Sequence, residues 1–278
     1  MAAVLALCGG AAWGIGDFLG GLASRRMAVL AVLAVSQAVG LAGVLTWVVV
    51  SGEAFPGVGE LLPAAGGGIT ALVGLAALYR GFAIGAMGIV APISAASPLV
   101  PLAVDATRGN VPSAFQWLGI VLVLVGIVTL SREASGANGG SRIAAGAGLA
   151  VVAALGFGLF VVGIDAGADE SAPWAVVAAR AAAVPLAVTA ALVTSASLRA
   201  PRALLPMLVA IGVFDTGANV LVAVATTYGA AGVVAVLSAL YPLTTILLAR
   251  VVLGERLSAA KRLGGGVALG GAALVAAG

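Results

Sequence analysis

The chain has 278 residues, of which 62% are hydrophobic and 8% charged, against about 25% charged in a typical soluble domain. A soluble protein of this length has nowhere to hide so much apolar surface, so a polytopic membrane protein is expected. The net charge of +3 comes from basic residues scattered singly or in pairs, which excludes a nucleic-acid stripe. One cysteine excludes an internal disulfide and a Cys-based metal cluster, and the lack of histidine removes the commonest metal ligand. No metal and no cofactor are therefore expected.

A membrane span needs about 20 mostly apolar residues. Cutting at charges, Pro/Gly clusters and polar turns predicts ten, over 2–22, 28–50, 61–84, 88–107, 114–131, 143–165, 173–195, 203–227, 231–252 and 260–277. The first lacks the basic n-region of a signal peptide and is long enough to span, so it reads as a transmembrane helix. Barrel strands are excluded, since they would alternate over about 10 residues. The predicted class is an all-α membrane protein of ten transmembrane helices, arranged as two inverted five-helix repeats. The repeats would occupy 1–131 and 143–278, joined by a polar, Gly-rich linker at 132–142.

Three segment matches support the repeat. "WGIGDFLGG" (13–21) aligns with "LGFGLFVVG" (155–163), an offset of 142 that puts Leu159 opposite Asp17. "GIVAPISAASPL" (88–99) aligns with "GVVAVLSALYPL" (232–243), offset 144, and "GNVPSAFQWLG" (109–119) with "GERLSAAKRLG" (254–264), offset 145. An odd number of helices per half forces the halves to enter the bilayer in opposite senses, and the loop charges agree. Arg25, Arg26, Arg132, Arg142, Arg199, Arg202, Arg256, Lys261 and Arg262 sit in odd-numbered loops, while even-numbered loops hold Arg108. The positive-inside rule then places the odd loops in the cytoplasm and both termini outside.

The closing segment "YPLTTILLARVVLGERLSAAKRLGGGVALGGAALV" (241–275), its echo at 98–126 and the opening "WGIGDFLGGLASRR" resemble EamA-like transporters of the drug/metabolite transporter superfamily. The resemblance implies ten helices, a central cavity between the repeats, and export or exchange of small organic solutes. A bacterial plasma membrane and a monomer or homodimer are expected. It also implies cytoplasmic termini, opposite to the loop charges. Asn110 departs from the pattern, since its repeat mate is Glu255 of "GER".

Ionisable residues inside apolar spans are costly and mark functional sites by default. Asp17 lies one helical turn from Trp13, and the pair reads as a cavity carboxylate beside a flat aromatic wall. The bland alternative is a packing bond to a neighbouring helix. Asp215 and Asn219 repeat the i, i+4 spacing, and Arg180 needs an anion, either Asp215, Asp17 or a substrate carboxylate. Ser94 and Ser97 flank prolines that break a helix, with Ser238 and Tyr241 as their mates beside Pro242. Tyr79 ends the third span; Arg80 and Arg250 read as interfacial anchors. Gly16 with Gly20, Gly266 with Gly270, and Gly119 with Gly126 read as helix-packing positions.

The expected site is thus Trp13, Asp17, Tyr79, Ser94, Ser97, Arg180, Asp215, Asn219, Ser238 and Tyr241, for binding or coupling without catalysis. No nucleotide-binding motif appears, so transport would be secondary, with a small-molecule substrate, the lipid bilayer and protons as partners. The mixed charges suit amino acids or related zwitterions. Rival readings are a channel, a structural membrane protein, and an intramembrane aspartyl protease using "GIGD" (14–17) and "DTG" (215–217), though the flanking protease motifs are missing.

Overall fold

A computed structural model describes residues 1–83, 93–94, 96–131, 140–195, 197–253 and 259–278. Among these every regular element is helical. In chain order they are α1 (Ala2–Ser24), α2 (Val29–Ser51), α3 (Val58–Ala83), α4 (Leu99–Thr107), α5 (Ala114–Ser131) and α6 (Gly140–Ala168), then α7 (Ala172–Val193), α8 (Leu205–Thr226), α9 (Ala231–Ser238), α10 (Tyr241–Leu253) and α11 (Ala259–Ala277). Among the described residues, seven spans are long and apolar enough to cross a membrane: α1, α2, α3, α6, α7, α8 and the α9–α10 pair. Two shorter apolar helices, Ala114–Thr129 and Arg262–Ala277, match the expected fifth and tenth spans. Of the expected fourth span, residues 88–92 and 95 lie outside the described residues, as does most of the 132–142 linker and Glu255.

Large apolar side chains on the outer helix faces stay exposed, among them Trp47, Val50, Leu62, Val121, Val213 and Val251. That is the surface a hydrocarbon solvent requires. The buried core is instead built mainly of small residues, such as Ala6, Ala64, Ala153, Ala175 and Ala218. Without a hydrophobic drive between helices in lipid, close backbone approach supplies the packing, and small side chains permit it.

The packing comes in exchanged pairs. α1 packs on α8 as α3 packs on α6, α2 packs on α7, and α5 packs on α11. The residue contacts fix the register. A Cβ added at Gly14 would fall 2.5 Å from Tyr241 O and 2.6 Å from Thr244 Cβ; one added at Gly158 would fall 2.6 Å from Ser97 O and 2.5 Å from Val100 Cβ. Adding 144 to 14, 97 and 100 gives 158, 241 and 244. Gly9 against Ala218 O (3.3 Å) pairs with Gly74 against Ala153 O (3.2 Å) at the same offset. Gly212 against Ser36 O and Gly68 against Ala179 O give 143 for α2 and α7. Gly119 against Gly271 O (2.6 Å) and Gly126 against Gly264 O (2.7 Å) give 145 for α5 and α11.

This register corrects two expectations. The α1 offset is 144 rather than 142, so Asp17 faces Val161 as its mate, not Leu159. Gly-rich helices align almost as well two residues out of step, and contacts remove that ambiguity. The α5–α11 seam uses Gly264 and Gly271; Gly266 and Gly270 have open space beside them, and so does Gly20.

Polar ties gather where α4 and α6 end and α7 and α9 begin. Arg108 pairs with Asp165 at 2.8 Å. Buried Asp105 accepts from the Gly232 backbone N–H at 2.6 Å, near the start of α9, where helix N–H groups have no partner of their own. Ser171 caps α7 by accepting from Trp174 N, and its hydroxyl donates to Glu53 at 2.7 Å. Trp174 donates its indole N–H to Glu53 O and meets Phe55 edge-on at 5.0 Å.

Candidate functional site

Between the helices lies a cavity of about 590 Å³ that reaches the α1–α2 turn through Gly20, Gly21, Ser24 and Val29. It falls within the range of small-ligand pockets, roughly 300–1,000 Å³. Elements of both halves contribute, because α1, α2, α3, α6, α7 and α8 all place residues on it.

One wall is polar. Arg180, on the buried face of α7, is 5% exposed. Its Nη2 donates to Asp215 Oδ2 at 2.7 Å, and its Nη1 donates to Gln37 Oε1. Gln37 turns its amide nitrogen to the same Asp215 oxygen at 3.2 Å, which closes a three-residue ring across α2, α7 and α8. The partner that Arg180 required is therefore Asp215. Trp13 donates its indole N–H to Asn219 Oδ1 at 2.8 Å and tilts toward Phe160, with ring centroids 6.5 Å apart. That bond fixes the side chain of α1 that stands one turn from Asp17.

Asp17 differs from Asp215. It is exposed to the cavity, and among the described residues nothing donates a hydrogen bond to it. Gly16 lets α1 approach α8, where the position of its absent Cβ would lie 3.6 Å from Asp215 N. Asp17 and Asp215 are consequently close enough to repel when both are ionised.

The broken helices form the next part of the lining. Pro242 is the second residue of α10 and cannot donate a backbone bond, so the chain turns at Ala239 and Leu240. Ser238 and Tyr241 flank that turn and line the cavity, as do Ser94, Ser97 and Pro98 before α4. Thr245 ties the turn to α1 by donating to Gly14 O at 3.0 Å. The opposite wall is apolar, with Ala71, Leu72, Leu75 and Leu78 from α3 and Phe157, Phe160 and Val161 from α6.

Nine of the ten residues singled out in the sequence thus share one cavity. The tenth, Tyr79, has its side chain outside the described residues. Sequence reasoning missed Gln37, which bridges the Arg180 pair. A lone Gln in the apolar run 29–35 and 38–45 carried a signal, but amides attract less notice than charges. The engagement of Asp215 by Arg180 is a poor fit to an aspartyl dyad, in which two carboxylates share one proton.

The sequence model of the EamA-like transporter family matches residues 1–132 and again residues 144–277. The chain belongs to the EamA-like transporter family. Its members are membrane transporters, so this EamA-like chain is a multi-pass integral membrane protein, built from two EamA repeats. Among 28 solved chains that match, one crystal structure aligns over 98% of this EamA-like chain and 95% of its own, with a TM-score of 0.79 at 18% identity. At that identity the likeness concerns the fold. None of the curated proteins matches the sequence.

Proposed function

We propose that this EamA-like protein is a secondary transporter, an exporter or exchanger of small organic metabolites. Two inverted five-helix repeats would rock about the cavity and open it to each side of the membrane in turn. The observation that carries this reading is the cavity itself: it lies between the two halves, is lined by both, and holds Asp17, Asp215 and Arg180 at membrane depth. Charged groups there are expensive and mark transport sites.

Two features support alternating access. The cavity reaches the α1–α2 turn, while the opposite end carries the Arg108–Asp165, Asp105–Gly232 and Glu53–Ser171 ties. The turns at Pro98 and Pro242 place short helices beside the site, as the broken helices of transporters do. A solute with a charged amino group and an apolar body suits the lining. A coupled proton would use Asp17.

The test is counterflow in proteoliposomes. Saturable uptake of a labelled metabolite, accelerated by unlabelled solute on the far side, is expected. Non-saturating flux would make the protein a channel, and no flux with any solute would leave a structural role.

A further inference from the structure

The cavity holds two carboxylates and one guanidinium among its described lining residues. The stretch 84–92, outside the described residues, contains no ionisable residue. The guanidinium's charge is already balanced: Nη2 donates to Asp215 and Nη1 to Gln37, with the side chain almost wholly buried and its Nε left without a partner among the described residues. Asp17 is left as an unbalanced negative charge, open to the cavity and without a donor among the described residues.

We propose that the cavity selects organic cations: a protonated amine on an apolar or aromatic body, with Asp17 as the ammonium's partner. This rests on the transporter reading and names its substrate class. An ammonium offers the hydrogen-bond donors that Asp17 lacks and relieves its repulsion with Asp215. Trp13, one turn away, and Tyr241 line the same cavity as that carboxylate, and aromatic rings in a cavity favour a cation over a neutral group. The body of the solute meets the opposite wall of Leu72, Leu75, Phe157 and Val161.

Two other ligand classes fit less well. The carboxylate of a zwitterion would add a third negative charge to a site whose single described guanidinium is already paired with Asp215; reaching the unpartnered Arg180 Nε would bring it against that carboxylate. A hard metal ion needs about six oxygen ligands, and no group of three or more His, Cys, Asp or Glu side chains gathers among the described residues.

Three probes share one aromatic body and differ only in charge: 2-phenylethylamine, phenylalanine and 3-phenylpropionate. Calorimetric titration of the purified full chain at neutral pH should show the amine binding at least about ten-fold tighter than phenylalanine, with no binding of the propionate, because only the amine matches an unpaired carboxylate without adding a second one. Asp17→Asn should lose amine binding about ten-fold or more, and Asp17→Glu should keep it. Phenylalanine or the propionate binding as tightly as the amine, no binding of the amine, or amine binding that survives Asp17→Asn would overturn the proposal. Should Asp17→Asn fail to fold, the ranking of the three probes on the unaltered chain decides alone. Counterflow separates this failure from that of the transporter reading. Saturable flux of a neutral or anionic solute with the amine refused sinks only the cation proposal, whereas no saturable flux of any solute sinks both.

Discussion

The two walls of the cavity occupy equivalent places in the two halves, yet their chemistry differs. Trp13 has Phe157 as its mate, Asp17 has Val161, Asp215 has Ala71 and Asn219 has Leu75, all at the offset fixed by the glycine contacts. Arg180 has Gln37, and these two mates bond directly to each other where α2 packs on α7. The scaffold is therefore two-fold in its contacts while the site is one-sided. Backbone approach at Gly14 and Gly158 serves both halves alike, because packing constrains both. Charge was free to settle on one wall, since a single asymmetric solute needs one polar and one apolar surface.

The strongest way to break this comparison is Arg180→Ala. It leaves Asp215 beside Asp17 with no cation, and breaking a buried pair costs about 3 kcal/mol. Thermal unfolding in detergent should fall well below that of the unaltered chain, while Gln37→Ala, at the mate, should lose much less. A double variant, Arg180→Met with Asp215→Leu, should recover most of the stability. Equal losses at Arg180 and Gln37 would mean that the ion pair with Asp215 adds nothing beyond the amide bond.

The scaffold makes the opposite forecast. Gly14→Ala and Gly158→Ala each push a methyl group onto backbone oxygen, at Tyr241 and at Ser97. Each should cost about 1–3 kcal/mol, and the two costs should be similar. Gly266→Ala, with open space beside it, should be neutral in the same unfolding assay.

Asp17→Asn should leave unfolding unchanged, since nothing among the described residues bonds to Asp17, yet transport should fall at least about ten-fold, the cost expected when a charge partner is removed. Adding Val161→Asp to that variant moves the carboxylate to the mate on the other wall. Partial recovery of flux would show that the cavity needs a charge rather than a place; no recovery would show that Trp13 and Tyr241 must stand beside it.

The mildest test orients this asymmetric cavity in the bilayer. In a Cys8→Ser background, cysteine at Ala28, an exposed residue of the α1–α2 turn, should resist impermeant labelling in intact cells if loop charge governs. Ready labelling would give the orientation implied by the family resemblance.

Much of the site could be read from the sequence because membrane depth makes polar residues conspicuous. Asp17, Arg180, Asp215 and Asn219 each interrupt an apolar run, and a low-dielectric solvent gives such residues few uses. Hydropathy and the segment matches likewise determined the helical class and the division into halves. Other features depend on distance, which composition does not record. Only the tertiary structure chose Asp215 over Asp17 as the partner of Arg180, because helix rotation and crossing set that distance. It brought Gln37 into the ring, moved the mate of Asp17 to Val161, and put Gly264 and Gly271 rather than Gly266 and Gly270 at the α5–α11 seam. In Gly-rich helices several registers satisfy the same apolar pattern, and only backbone contact separates them.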